Sequence, residues 1–112
     1  MATGRLGTQY LSTGTIAIVS GTPVYTVTTG NYGVFNVSFT NQSPTASVQI
    51  RLAVSTTTTP ANSEYFEYFT TVAPNGVFER TGIVANSGLN VMVSSNGTAV
   101  SVNVYGIETS TS

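Results

Sequence analysis

The amino-acid sequence predicts an all-β protein, an antiparallel, jelly-roll-like β-sandwich of about seven or eight short strands without a substantial helix. Short segments rich in Val, Ile, Thr, Tyr and Phe recur along the chain, and these residue types favour strands. Clusters of Gly, Pro, Asn and Ser separate the segments and supply turns. No segment shows an apolar stripe with the 3.6-residue period of a helix. The turn clusters are SGTP, TGNYG, NQSPT, TTTTPANS, APNG, NSG and SNG.

The length of the chain predicts one domain. A chain of 112 residues can bury a core of its own, and we expect residues 1–112 to form a single β domain. Residues 1–12 and 108–112 show no periodic pattern, so we predict an N-terminal arm and a C-terminal tail. Residues 35–40 and 48–54 alternate between apolar and polar side chains. This period of two predicts half-buried strands with their apolar side chains toward the core.

The dipeptide Asn96-Gly97 predicts a type I′ turn between two strands, residues 89–95 and 98–107. A loop of two residues sets Val93 opposite Val100, and the apolar side chains of both strands then share one face. Because a slip of one residue would reverse every side chain, the turn and the pattern support the same hairpin register.

The segment EYFEYF, residues 64–69, interleaves two carboxylates with four aromatic rings. Catalysis of glycoside hydrolysis needs two carboxylates that converge on one bond. Glu64 and Glu67 are three residues apart, so they would face opposite sides of a strand. The segment is therefore interpreted as a strand and not as a catalytic pair.

An antiparallel neighbour for this strand is residues 46–54, the preceding predicted strand. Setting Val54 opposite Glu64 places Phe66 and Tyr68 in the core. This register is a hypothesis, because sequential strands pair only about two-thirds of the time.

On the outer face of that pair, the same register sets Arg51 opposite Glu67, with Tyr65 and Phe69 on either side. Aromatic rings and arginine are enriched where proteins contact their partners. The alternative is that another part of the same chain covers these rings.

Two further charged segments are candidates for contact. Glu79 and Arg80 follow the turn APNG and would face opposite sides of a strand. Two interpretations stay open: a strand exposed to solvent, or a contact with a partner. Arg5 lies in the predicted arm, which could extend onto a neighbouring subunit. The full set of candidate interface residues is Arg5, Arg51, Tyr65, Glu67, Phe69, Glu79 and Arg80.

The composition argues against several functions. The chain has three Arg, four Glu, a net charge of −1, and no Lys, Asp, His, Cys or Trp. Acid–base and nucleophilic catalysis mostly recruit the missing residue types, so we predict no enzyme activity, no metal and no cofactor. A basic patch for nucleic acid or for a membrane surface is also missing.

The surface that this composition implies is unusual for a free protein. Only 6% of the residues are charged, against about a quarter in ordinary globular proteins. Strand edges without Lys have little to prevent edge-to-edge pairing. We therefore expect the protein to be part of an assembly that covers much of its surface. Within it we expect a homo-oligomer, with a trimer as one possible arrangement.

Four segments carry a resemblance to a known family: MATGRLG at the start, PANSEYFEY (60–68), APNGVFERTGI (73–83) and VYGIE (104–108). They resemble small virion structural proteins of tailed bacteriophages, of the marine and cyanobacterial phage type. The resemblance implies a β-rich structural protein without catalytic residues, located on the capsid or in the tail.

The expected function is that of a capsid decoration, or cement, protein of the virion, assembled in the bacterial host cytoplasm. Its partner would be the major capsid protein or another virion protein. The alternatives are a tail fibre or tail adaptor component and, in a different class, a glycan-binding module that stacks Tyr and Phe on sugar rings.

Overall fold

The structure is a computed structural model that describes residues 2–12, 14, 16 and 22–110. Their regular secondary structure is almost entirely β, and one 3-10 turn, η1 (Asn62–Glu64), is the helical element among them. The predicted fold class is confirmed. The strands are β1 (Ala2–Leu11), β2 (Tyr25–Thr26), β3 (Asn31–Asn41), β4 (Val48–Ser55), β5 (Tyr65–Val72), β6 (Val77–Ala85), β7 (Asn90–Ser95) and β8 (Val100–Ser110).

The strands form two antiparallel four-stranded sheets. Sheet A has the order β1-β8-β3-β6, and sheet B has the order β2-β7-β4-β5. Strands pair from the two ends of the chain inward: β1 with β8, β2 with β7, β3 with β6 and β4 with β5. This is the pairing of one long antiparallel ribbon folded into two sheets, which is a jelly roll.

The core lies between the two sheets and is built by alternation. On β3, Phe35, Val37 and Phe39 are fully buried, and on β4 Ile50 and Leu52 are fully buried. The side chains between them are more accessible. The predicted inward faces of both strands are therefore confirmed. Burial of these apolar side chains drives the packing of sheet on sheet, at roughly 25 cal/mol per Å² removed from water.

The predicted hairpin across Asn96-Gly97 is wrong. β7 lies in sheet B and β8 in sheet A, so Val93 and Val100 never pair, and the turn crosses from one sheet to the other. Neither Asn96 nor Gly97 has the positive φ that a type I′ turn requires. The Asn96 side chain instead accepts a 2.8 Å hydrogen bond from the Gln49 main-chain N–H on β4.

The predicted N-terminal arm is also wrong, because residues 2–11 form β1, an edge strand of sheet A that pairs with β8. The glycines of β1 interrupt the apolar alternation that would identify a strand in the sequence. At Gly7 the packing requires glycine. A Cβ at Gly7 would lie 2.0 Å from the Val24 carbonyl oxygen, so only glycine lets β1 approach this main chain. The predicted tail over 108–112 is corrected as well, since β8 runs to Ser110. Residues 1, 111 and 112 lie outside the described residues.

Candidate interaction surface

The pairing of β4 with β5 is confirmed, but its predicted register is wrong. Leu52 lies opposite Glu67 and Ile50 opposite Thr70, and the register shifts twice along the pair. Each shift is a bulge, which bends a strand and turns its side chains to new directions. Phe66, which was predicted to be in the core, is exposed.

The bulges bring most of the aromatic segment to the surface. Tyr68, also predicted to be buried, is 53% exposed, and Phe69 is exposed too. Phe69 has a φ of 59°, in the left-handed region that a bulky residue rarely occupies. Such a conformation costs on the order of 1 kcal/mol. The chain therefore accepts backbone strain at a position where the side chain stays 42% exposed.

Arg51 lies at the centre of these rings. Its guanidinium carbon is 4.0 Å from the ring centre of Tyr68, 4.5 Å from that of Phe69 and 5.9 Å from that of Tyr65. Tyr68 makes edge-to-face contacts with both Tyr65 and Phe69, at centroid distances of 5.1 and 5.0 Å. The Nε of Arg51 is buried and has no hydrogen-bond partner among the described residues. We call these four residues the ring cluster.

Contacts of the guanidinium with ring faces contribute about 0.5–2 kcal/mol each, depending on how much water is excluded. The sequence correctly predicted that Arg51 lies with Tyr65 and Phe69 on the outer face of the sheet. It missed Tyr68 as the closest ring.

The ring cluster is anchored at one end and open at the other. Tyr65 packs on Ala53 and Met92, which are buried on the outer side of sheet B. At the open end, a cavity of about 340 Å³ is lined by Tyr68 and Asn62 among the described residues. The cluster thus combines a fixed base with an accessible rim.

The sequence predicted that Glu67 pairs with Arg51, but this prediction is wrong. Glu67 forms its ion pair with Arg80. The Arg80 Nη1 donates to Glu67 Oε2 at 2.9 Å, and Thr70 Oγ1 donates to Glu67 Oε1 at 2.7 Å. Arg80 also lies 5.4 Å from the ring centre of Phe66. Since β5 and β6 are edge strands of different sheets, this group closes the open side of the sandwich beside the ring cluster.

Glu64 has a separate, structural role. It ends the 3-10 turn before β5 and accepts hydrogen bonds from the Ala61 main-chain N–H and from Ser55 Oγ, both at 2.8 Å. The hydrogen bond from the Ala61 main chain, followed by that from Ser55, lowers the pKa of Glu64. Glu64 and Glu67 therefore serve different contacts and form no carboxylate pair.

Arg5 and Glu79 lie away from the ring cluster, on the outer face of sheet A. Arg5 is opposite Tyr105 on β8, and Glu79 is opposite Ser38 on β3. Glu79 and Arg80 do face opposite ways, because Arg80 points to the seam between the sheets. Of the seven predicted interface residues, five gather around the ring cluster and these two do not.

Glu108 is the charged residue that sequence reasoning missed, because it was assigned to the tail. Its side chain is only 5% exposed. It accepts hydrogen bonds from the Tyr25 hydroxyl, from Asn31 Nδ2 at 2.7 Å and from the Thr28 main-chain N–H at 3.2 Å. The signal in the sequence is that Glu108 keeps the two-residue phase of the buried Val102 and Val104.

These hydrogen bonds change the acidity of both partners. The hydrogen bond from Tyr25 has the largest effect and lowers the pKa of Glu108, whereas burial raises it. The hydrogen bonds from Asn31 and Thr28 lower it further, and the pKa of Glu108 is about 2. Burial, followed by the bond to Glu108, raises the pKa of the Tyr25 hydroxyl above its ordinary value. Through these hydrogen bonds the Glu108 carboxylate on β8 connects the last strand to residues 25–31.

Replacing Phe69 with asparagine tests the strain at this surface. Asparagine tolerates a positive φ better than phenylalanine, so the relief of strain should offset the loss of the ring's contacts with Arg51 and Tyr68. We expect the free energy of unfolding to change by less than about 1 kcal/mol in urea denaturation. As the control, Tyr65→Ala should cost about 2–3 kcal/mol, because that ring packs on buried side chains. A loss of similar size in Phe69→Asn would contradict the strained, exposed state of this ring.

Among the described residues, no group of three or more potential ligating side chains (His, Cys, Asp or Glu) could hold a metal ion. The described part of the chain also contains no helix that is long and apolar enough to cross a membrane. Comparisons with protein families, with curated proteins and with solved structures found no match to this chain.

Proposed function

We propose that this protein is a structural protein of a bacteriophage virion, a capsid decoration protein that binds the major capsid protein and stabilises the head. The ring cluster is the observation that carries the proposal. Tyr68 and Phe69 are exposed, and strain and bulges hold them there at a cost in stability. A chain gains from such an arrangement when the rings are buried against a partner, where aromatic residues and arginine contribute most of the binding energy.

The rest of the molecule supports a structural role. The jelly roll is a frequent fold of capsid proteins, although a fold by itself does not define a function. The sequence segments that resemble small phage virion proteins include the first half of β5, which carries Tyr65 and Tyr68 of the ring cluster, and most of β6 beside it. The proposed partner is the major capsid protein or another virion protein, and the proposed role is not enzymatic.

The copy number per particle tests this function. Quantitative mass spectrometry of purified virions should find hundreds of copies of a decoration protein, because such a protein follows the symmetry of the head. A few to tens of copies would instead identify a tail fibre or tail adaptor component. Absence of the chain from purified virions would contradict both.

The docking role of the ring cluster has its own test. We expect Tyr68→Ala to weaken binding to heads that lack the protein by about tenfold or more. Tyr10→Ala is a matched control, since Tyr10 is also 53% exposed but lies on β1, in the other sheet. Cosedimentation of each variant with the heads measures the difference. Equal binding by Tyr68→Ala and wild type would exclude the cluster as the docking site.

The second candidate function is a glycan-binding module. The cavity beside Tyr68 and Asn62 favours it, because a ring can stack on a sugar and an amide can bind its hydroxyls. A glycan array probed with the isolated protein would show binding that Tyr68→Ala abolishes. If the array shows no binding and the protein binds phage heads, the glycan-binding function is excluded and the structural role is supported.

A further inference from the structure

A row of exposed aliphatic side chains crosses the outer face of sheet A. Val34 on β3 lies directly opposite Val84 on β6 and Ile107 on β8, and all three are exposed. Val84 is 67% exposed. Three neighbouring strands thus present one continuous apolar row, which is the arrangement expected of an interaction site and unusual on a free surface.

The charges on this face lie at its two edges. Arg5 is on β1 and Glu79 is on β6, the first and last strands of the sheet. Neither forms an ion pair within the described residues. The side chains nearest the apolar row along β3 and β8 are uncharged: Tyr32, Asn36, Tyr105 and Thr109. The face therefore has an apolar middle, one positive edge and one negative edge.

We propose that two copies of this chain pack through the outer face of sheet A, about a two-fold axis parallel to the strands. That axis sets the apolar row of one copy on the same row of the other. It also sets β1 of each copy over β6 of the other, because the rotation exchanges the two edges of the sheet.

Under this symmetry the edge charges become partners. In the sheet, Arg5 is level with Tyr105 and Asn36, and Glu79 is level with Ser38. The two levels differ by two residues, about 7 Å along a strand, which long side chains can span. Arg5 of each copy then meets Glu79 of the other copy, and the contact occurs twice.

The charge pattern favours a second copy over another partner. A face with one positive edge, one negative edge and an apolar middle complements itself when it is rotated, without any need for a differently charged surface. The area is also sufficient for a weak dimer. Four strands of about ten residues, about 4.8 Å apart, give a face of roughly 600 Å² per copy, at the lower end of specific interfaces.

This inference goes beyond the proposed function and does not depend on it. The self-contact uses sheet A, whereas the proposed docking to the head uses the ring cluster on sheet B. A protein that dimerises and is absent from virions would contradict only the proposed function. A monomeric protein found on virions would contradict only the dimer.

Sedimentation velocity over about 1 µM to 1 mM tests the dimer, a range that suits a weak contact. We expect the full chain to shift from monomer to dimer with concentration. Val84→Lys should weaken the dimer by about tenfold or more, because the contact would bury two unpaired charges. Thr71→Lys is the matched control: Thr71 is exposed on β5, in sheet B, outside the proposed contact. It should dimerise like the wild type.

A charge reversal tests the orientation. Arg5→Glu alone and Glu79→Arg alone should each weaken self-association by about threefold to tenfold, since each creates two repulsive contacts per dimer. Mixing the two variants should restore association, because every edge contact in the mixed dimer then joins opposite charges. Unfolding of each variant in urea checks that the fold is intact.

Three results would overturn the inference. The first is a wild-type chain that stays monomeric up to about 1 mM, well above the Kd of a weak contact. The second is an oligomer, including a trimer, that Val84→Lys and Thr71→Lys affect equally. The third is a dimer in which the mixed charge variants associate no better than either alone, which would exclude the proposed two-fold axis.

Discussion

Replacing Gly106 with alanine is expected to destabilise the protein by about 3 kcal/mol or more, or to prevent folding. Gly106 lies on β8 opposite Phe35 of β3. A Cβ at this position would lie 2.2 Å from the Val34 carbonyl oxygen and 2.6 Å from the Phe35 Cα. Both are main-chain atoms of a central strand, so no side chain can move aside. The two strands would have to separate in the middle of sheet A.

Gly4 provides the matched control for this substitution, because it is the neighbour of Gly106 on β1. A Cβ at Gly4 would meet no atom within 4 Å, although its φ is +94°. Gly4→Ala should therefore cost only about 1–2 kcal/mol, from backbone strain alone. Urea denaturation of both variants measures the difference. Equal losses would show that the close approach of β3 and β8 at Gly106 does not limit stability.

The second large effect is expected at Glu108. Glu108→Ala removes the acceptor for three donors, from Tyr25, Thr28 and Asn31, and leaves the buried Tyr25 hydroxyl without this partner. We expect a loss on the order of 3 kcal/mol in the free energy of unfolding. Glu67→Ala is the control, because its ion-pair partner Arg80 is 44% exposed and can be solvated by water, so the loss should be smaller, about 1 kcal/mol.

The same carboxylate predicts how stability depends on pH. The pKa of Glu108 is about 2 in the folded protein, against an ordinary value of 4.5, so folding favours the charged form. Its contribution is complete above about pH 4.5 and is lost as the pH falls toward 2, by an amount on the order of 2–3 kcal/mol.

Glu108→Gln has no charge to lose at this position, so the stability difference between wild type and this variant should shrink across that interval. Unfolding in urea at a series of pH values measures this difference directly. A difference that stays constant from pH 5 to about pH 2 would contradict a carboxylate held in its charged form by Tyr25.

The local patterns of the sequence predicted the fold class and the inward faces of β3 and β4. Phe35, Val37 and Phe39 alternate with polar residues, and this period reports burial directly. The same pattern does not select a partner strand. Val93 and Val100 both face the core, but they do so from opposite sheets. A short-range turn signal could not outweigh the pairing of β8 with β1 and β3, which joins distant parts of the chain.

The candidate surface was predicted in composition but not in geometry. The sequence indicated that Arg51, Tyr65 and Phe69 lie together, because two facing strands carry them. It could not predict the two bulges that place Phe66 and Tyr68 outside the core, since a bulge inserts a residue and breaks the alternation on which the register depends. Glu108 was missed because its polar neighbours concealed the continuation of the last strand.

A three-dimensional reconstruction of the virion tests the central claim, that the ring cluster docks this protein on the head. We expect copies arranged with the symmetry of the capsid, with Tyr68 and Phe69 buried against the major capsid protein. Copies on the head with these two rings facing solvent would contradict the docking surface. A head without any density for this chain would contradict the proposed function.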